Sequence, residues 1–215
     1  MRQITFPNWL VWIDKNFKDL SIPKLPIVLT IIQVLGFLLA MGKPEFIDKL
    51  YLTPKIILEH GEIWRIFTFI AAPLASNILV LFVLWFFYDV MVLLEDTWGS
   101  MFLTVYFLIA WLSTIFAAFL TNTPVKTFAT MECSFFFALA TLNPNKELHL
   151  FFILPIAFKW MALFIAGILL IVPLFLDSYN EQIYVILVFV NYLLFFGKDY
   201  WLRFKKELDK RKSKH

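Results

Sequence analysis

Six membrane-spanning α-helices in one bundle, with a loop embedded on the outer side, is the fold this sequence predicts. Three observations carry the prediction. Of the 215 residues, 61% are hydrophobic and 16% charged, against about 45–50% and about 25% in an ordinary soluble domain. The 26 Phe and eight Trp residues exceed what one small core can bury, so many of them must face lipid. The apolar residues also come in runs near the ~20 that carry a helix across ~30 Å of hydrocarbon. The expected class is therefore an all-α membrane protein.

The elements follow in order. Residues 1–24 contain ITFPNWLVWIDKNF, in which Trp9, Trp12 and Phe17 alternate with Asp14, Lys15 and Lys18; this is the pattern of a helix lying in the membrane interface. The apolar run from Leu25 is too long for a leader's core and has no small-residue cleavage site after it, so it is expected to remain as a span. The six spans are predicted at 25–42, 73–94, 101–120, 127–142, 157–176 and 182–197. The fourth and sixth are short, which points to a locally thinned bilayer or to shielding by neighbours. Residues 198–215 end the chain as a basic tail; Trp201, Phe204 and Leu208 share a helical face there, suited to an anionic membrane surface.

Between the first two spans, residues 43–72 are too apolar for a free loop, yet Pro54, Gly61 and the charges between Lys49 and Arg65 prevent them from spanning. A broken hairpin half-buried in the outer leaflet is expected. Charge sets the orientation, because Lys and Arg gather on the cytoplasmic side. Thirteen fall on the side of both termini and five on the other, so both termini are predicted to be cytoplasmic. A single Cys, Cys133, excludes an intramolecular disulfide and a cysteine zinc site. No phosphate loop, metal-ligand cluster or nucleic-acid motif occurs, and no cofactor is expected. The membrane surface accounts for the basic tail.

A first span, a loop ending in GEIWRIFTFIAAP and a second span closing on LLEDTWGS together resemble the rhomboid superfamily, which holds intramembrane serine proteases and inactive relatives such as the derlins. Trp64 and Arg65 match the family's Trp-Arg loop motif. Glu95, Trp98 and Gly99 match the acidic residue and glycine at the exit of the second span. LNPNKELHLFFILPIAFKW and NYLLFFGKDYW are similar to a divergent bacterial branch. The resemblance spans most of residues 25–200. It implies a six-helix bundle in a bacterial plasma membrane, with a central fourth helix that water reaches from the outer side.

The departures decide the expected function. The resemblance implies a Gly-x-Ser-Gly nucleophile motif at the start of the fourth span and a His base on the sixth. No glycine stands between Gly99 and Gly167. The three histidines are His60 in the outer loop, His149 at the entrance to the fifth span and His215 at the terminus; none lies in the sixth span, which carries Asn191. Glu132, Cys133 and Ser134 make the fourth span the most polar, and polar groups in hydrocarbon belong inside a bundle or against a wet cavity.

Ser134 would need a base and oxyanion donors to act as a nucleophile. Its bland role is a hydrogen bond to the carbonyl one turn back. Glu132 has two readings, a functional carboxyl reached by water or a structural hydrogen bond to a neighbouring span. The Trp64–Arg65 pair can anchor at the headgroup layer, or Arg65 can spend its five donors on the loop's bare carbonyls. The expected function is a non-catalytic rhomboid-like protein, a pseudoprotease that binds transmembrane helices of client proteins within the lipid bilayer. The alternatives are an intramembrane serine endopeptidase built on Ser134, and a small transporter using Glu132 and Asp89.

Overall fold

The computed structural model describes residues 6–74, 77–150, 154–171, 175 and 179–212. A ten-residue helix, α1 (Asn8–Phe17), opens the described chain. Its Leu10 is fully buried, while Val11 and Trp12 are exposed. Trp9 stands edge-on to Phe195 at 5.7 Å, and Lys198 Nζ donates to Asn8 Oδ1 at 3.1 Å. Helix α1 therefore meets the chain around residues 195–198.

Helix α2 (Leu25–Gly42) occupies the range predicted for the first span. Pro26 sits in its first turn, where a missing N–H costs nothing. Helix α7 (Ser100–Thr121) likewise matches the third span. These two helices are long and apolar enough to cross a membrane. Each turns one face into the bundle and leaves an apolar stripe outside: Ile31, Leu35 and Leu38 on α2, Leu112, Phe116 and Leu120 on α7. Such stripes at helical spacing are what lipid contact requires.

Helix α6 (Leu79–Trp98) starts six residues later than the predicted second span. The delay has a local cause. Pro73 disfavours helix in the residue before it, where Ala72 is extended, and Asn77 Oδ1 accepts the Leu79 N–H at 3.1 Å. The helix carries Asp89, Glu95 and Asp96. Only Gly99 separates it from α7, with φ +86° and ψ 159°, a region essentially confined to glycine.

Helix α8 (Ala129–Leu142) touches α6 and α7 as well as α9 (Phe158–Ile171), α10 (Tyr179–Val188) and α11 (Val190–Lys212). Nine of its fourteen residues are buried. The predicted sixth span is corrected: α10 and α11 meet at a bend of 56°. At the break the Phe189 N–H turns to the Ile186 carbonyl, three residues back, which tightens the chain locally. If the bent pair counts as one crossing, it makes a third helix of spanning length. Helix α11 continues through the predicted boundary at 197/198 without interruption. The predicted fifth span reaches 176, and its residues 172–174 and 176 lie outside the described set.

The chain is helical as expected, with one short two-stranded ribbon in the connection between α8 and α9. There β1 (Glu147–Leu150) pairs antiparallel with β2 (Leu154–Ala157), in the register Glu147 to Ala157. The segment is apolar and β-forming, and Pro155 is tolerated because a two-stranded ribbon has only edge strands.

The segment predicted as a broken hairpin folds as a series of short helices: a 3-10 turn Pro44–Phe46, α3 (Ile47–Leu50), α4 (Pro54–His60), α5 (Arg65–Thr68) and a second 3-10 turn Phe69–Ala71. Short helices leave many backbone groups without intrahelical partners. Leu52 exchanges both backbone hydrogen bonds with Val125, at 3.1 and 2.8 Å. Trp111 Nε1 of α7 donates to the Ile66 carbonyl at 3.0 Å. Thr68 Oγ1 donates to the Leu50 carbonyl at 3.2 Å.

Candidate functional site

Ser134 lies in the second turn of α8 and is fully buried. Asn191, at the start of α11, is also fully buried. Asn191 Nδ2 donates to Ser134 Oγ at 2.8 Å, and Asn191 Oδ1 lies 3.1 Å from the same hydroxyl. A third member comes from α7: Tyr106 Oη stands 2.7 Å from Ser134 Oγ and donates to the Ser134 carbonyl at 3.0 Å. The serine is thus engaged with Tyr106 and Asn191 across two helix interfaces, which replaces the predicted bond to the carbonyl one turn back.

Aromatic rings close over this cluster. Tyr106 packs against Phe135 at 5.2 Å, Phe195 at 4.8 Å and Trp98 at 5.4 Å between ring centroids. Trp98 in turn stacks on Phe195 and Phe196. The hydroxyls and amide are mutually satisfied inside an apolar shell, the condition under which buried polar groups are tolerated. The arrangement has no group that takes a proton. An amide nitrogen is a donor only, and its oxygen is a poor base. Serine chemistry needs a base and a path for the carbonyl it attacks, and neither is present around Ser134 among the described residues.

Among the described side chains no histidine stands beside Ser134. His60 is exposed at the end of α4. His149 has its backbone in β1, opposite Pro155. His215 lies outside the described residues. Cys133, next to Ser134, is half-buried and unbridged. Among the described residues no cluster of His, Cys, Asp or Glu has the makings of a metal site.

Glu132 forms a separate pair. Gln33, buried in α2, donates from Nε2 to Glu132 Oε1 at 3.0 Å. Gln33 Oε1 meets no donor among the described residues. A small void beside the pair is lined by Gln33, Glu132, Ala72, Pro73 and Phe128 among others. Glu132 lies in the first turn of α8, where the helix dipole favours a negative charge. Asp89 lies away from it, in a cleft of about 290 Å³ shared with Lys146 and Glu147 beneath the β-hairpin. Glu132 and Asp89 thus line different cavities.

Arg65 is 4% exposed. Its Nε donates to Glu62 Oε2 at 2.6 Å, and its Nη1 donates to the carbonyls of Asp48 and of Tyr51, the latter at 3.0 Å. One guanidinium thus ties three turns of the 43–72 segment together. Trp64 points outward, 52% exposed. At the other end of α6, Ser100 Oγ donates to Glu95 Oε1 at 2.6 Å across Gly99. The Trp98 indole N–H meets no acceptor among the described residues.

Tyr106 and Gln33 are the site members that sequence reasoning missed. Gln33 had a usable signal, a primary amide in the middle of an apolar span. Tyr106 had none, since a tyrosine near a span's end reads equally well as an interfacial anchor. Comparison with family models, with curated proteins and with solved structures finds no match to this chain.

Proposed function

We propose that the chain is a rhomboid-like integral membrane protein that binds transmembrane segments of other proteins without cutting them. In this reading six segments cross a bacterial plasma membrane: α2, α6, α7, α8, α9 and the bent α10–α11 pair, with both termini cytoplasmic. The observation that carries the proposal is the Ser134–Asn191 hydrogen bond, sealed under Tyr106. The serine sits on the fourth span and its partner on the sixth, the two helices on which the resemblance implies a nucleophile and its base. Here the base position holds an amide. A hydroxyl fixed between an amide and a phenol stabilises the bundle and has no route to acylation.

The client would dock from the side. Helix α8 is fourteen residues long, about 21 Å at 1.5 Å per residue, shorter than the ~30 Å hydrocarbon layer. A bundle built around so short a central helix favours a thinned bilayer at its edge. A client helix with polar residues near its end would lose less by lying there.

Incubating the purified chain with a fluorogenic transmembrane reporter, while following both cleavage and photocrosslinking, tests this reading. The expected result is reporter capture without turnover. Turnover abolished by Ser134→Ala would favour the endopeptidase alternative and overturn the proposal.

A further inference from the structure

A groove of about 640 Å³ opens on the flank of the bundle, between α9 and the α10–α11 pair. That volume lies within the ~300–1,000 Å³ of small-molecule sites. Helix α9 packs on α8 and β2, and the small side chains of Ala140, Ala162 and Ala166 leave the groove deep. Leu163, Phe189 and Leu193 form apolar walls.

One end is different. Thr141, Lys159, Tyr192 and Tyr200 line it. Thr141 Oγ1 donates to the Phe137 carbonyl at 2.8 Å, and Tyr192 Oη lies 2.7 Å from both Thr141 Oγ1 and Tyr200 Oη. With the threonine proton already committed, Tyr192 donates to Thr141 and Tyr200 to Tyr192, so the protons run inward and Tyr200, 42% exposed, turns only lone pairs to the groove. Lys159 Nζ donates to Asn145 Oδ1 at 2.9 Å, which leaves two of its three protons for another acceptor. Among the described residues no acidic side chain lines the groove.

We propose that this groove binds one anionic phospholipid, its phosphate on Lys159 and an acyl chain along Ala162, Ala166 and Leu193. The shape joins a long apolar slot to a single cationic end, which is the pattern of an amphiphile with an anionic head. A transmembrane helix is a poorer occupant. Helices carry their own Lys and Arg on the cytoplasmic side, and those charges would face Lys159. A zwitterionic head would bring an ammonium group to an end that offers it no carboxylate.

The inference rests on the membrane part of the proposed function and is independent of client binding. The full chain would be reconstituted in nanodiscs of equal phosphatidylglycerol and phosphatidylcholine, released into mild detergent, and weighed intact by native mass spectrometry. One phosphatidylglycerol per chain is expected to stay bound in preference to phosphatidylcholine. Lys159→Gln is expected to reduce that preference about fivefold, the effect of one lysine at an anionic surface. Ala166→Phe, which fills the slot without touching the polar end, is expected to remove the bound lipid, and Lys55→Gln to change nothing. Equal retention of both lipids would overturn the site, as would wild-type retention in Ala166→Phe. A transmembrane peptide with a basic cytoplasmic end that displaces the lipid would overturn it too. Release of the native chain from membranes by alkaline wash is read separately; it would reject the membrane reading, and this site with it.

Discussion

Gly36 of α2 and Ala71 of the 43–72 segment meet backbone to backbone: a Cβ on Gly36 would fall 1.7 Å from the Ala71 carbonyl oxygen. Small residues allow such approach between elements. This contact sets how closely the segment of short helices lies on the first span. Gly36→Ala is therefore expected to cost more than the ~1–3 kcal/mol of ordinary overpacking, because a carbonyl cannot rotate aside as a side chain can. Gly42, with nothing within 4 Å of a built Cβ, is the control. Thermal unfolding in detergent should show a large fall for Gly36→Ala and little change for Gly42→Ala; equal effects would remove the contact from the account.

Arg65 makes a different kind of tie in the same segment. Its removal leaves the Asp48 and Tyr51 carbonyls without a charged donor and Glu62 without its partner. Each such hydrogen bond contributes about 1.5–3 kcal/mol. Arg65→Ala should lower the folded yield, measured by size-exclusion chromatography, well below that of Lys55→Ala, whose side chain is exposed. Arg65→Lys should recover only part of it, since an ammonium lacks the planar fork that reaches three acceptors.

The Ser134–Asn191 pair predicts coupling. Ser134→Ala and Asn191→Leu should each destabilise by about 1–3 kcal/mol, because each strands the other's polar group. The double variant should cost less than their sum, with a coupling of about 0.5–3 kcal/mol. Additive losses in a denaturant series would mean the two side chains act independently. In the reporter assay neither single variant should alter client capture beyond its effect on folded yield.

Gln33 and Glu132 invite a comparison of shape with charge. Glu132→Gln keeps an acceptor for Gln33 Nε2 and should leave thermal stability near the parent value. Glu132→Leu leaves both polar atoms of the buried Gln33 amide without partners and should lose about 1–3 kcal/mol. If Glu132→Gln also leaves proton and solute flux into liposomes unchanged, the pair is structural. Loss of a measurable flux in that variant would instead revive the transport alternative.

Much of the helical layout was legible from local signals. The runs at 25–42 and 101–120 became α2 and α7 nearly residue for residue, because uninterrupted apolar length is a property each segment carries by itself. The apolar run of the second predicted span begins before its helix does, and Pro73 and Asn77 mark the helix start. Nothing local marks the bend within the predicted sixth span, since no proline or glycine lies within two residues of Phe189. The paired strands Glu147–Leu150 and Leu154–Ala157 hid in stretches whose apolar residues suit either state.

The candidate site was half legible. Ser134, Glu132 and Asn191 stood out as polar groups in apolar runs, a signal that needs no knowledge of neighbours. Their partners did not, because pairing joins residues 57 and 99 positions apart, Asn191 to Ser134 and Gln33 to Glu132.

What the sequence alone determined is that long apolar helices must form and which residues within them are too polar to face hydrocarbon. Both follow from the cost of unpaired polar groups in an apolar medium, a cost each residue carries wherever its helix goes. Which polar group meets which was decided only by tertiary structure. The choice depends on how α2, α7, α8 and α11 lie against one another, and that depends on contacts such as Gly36 on Ala71, made between surfaces that no local pattern describes.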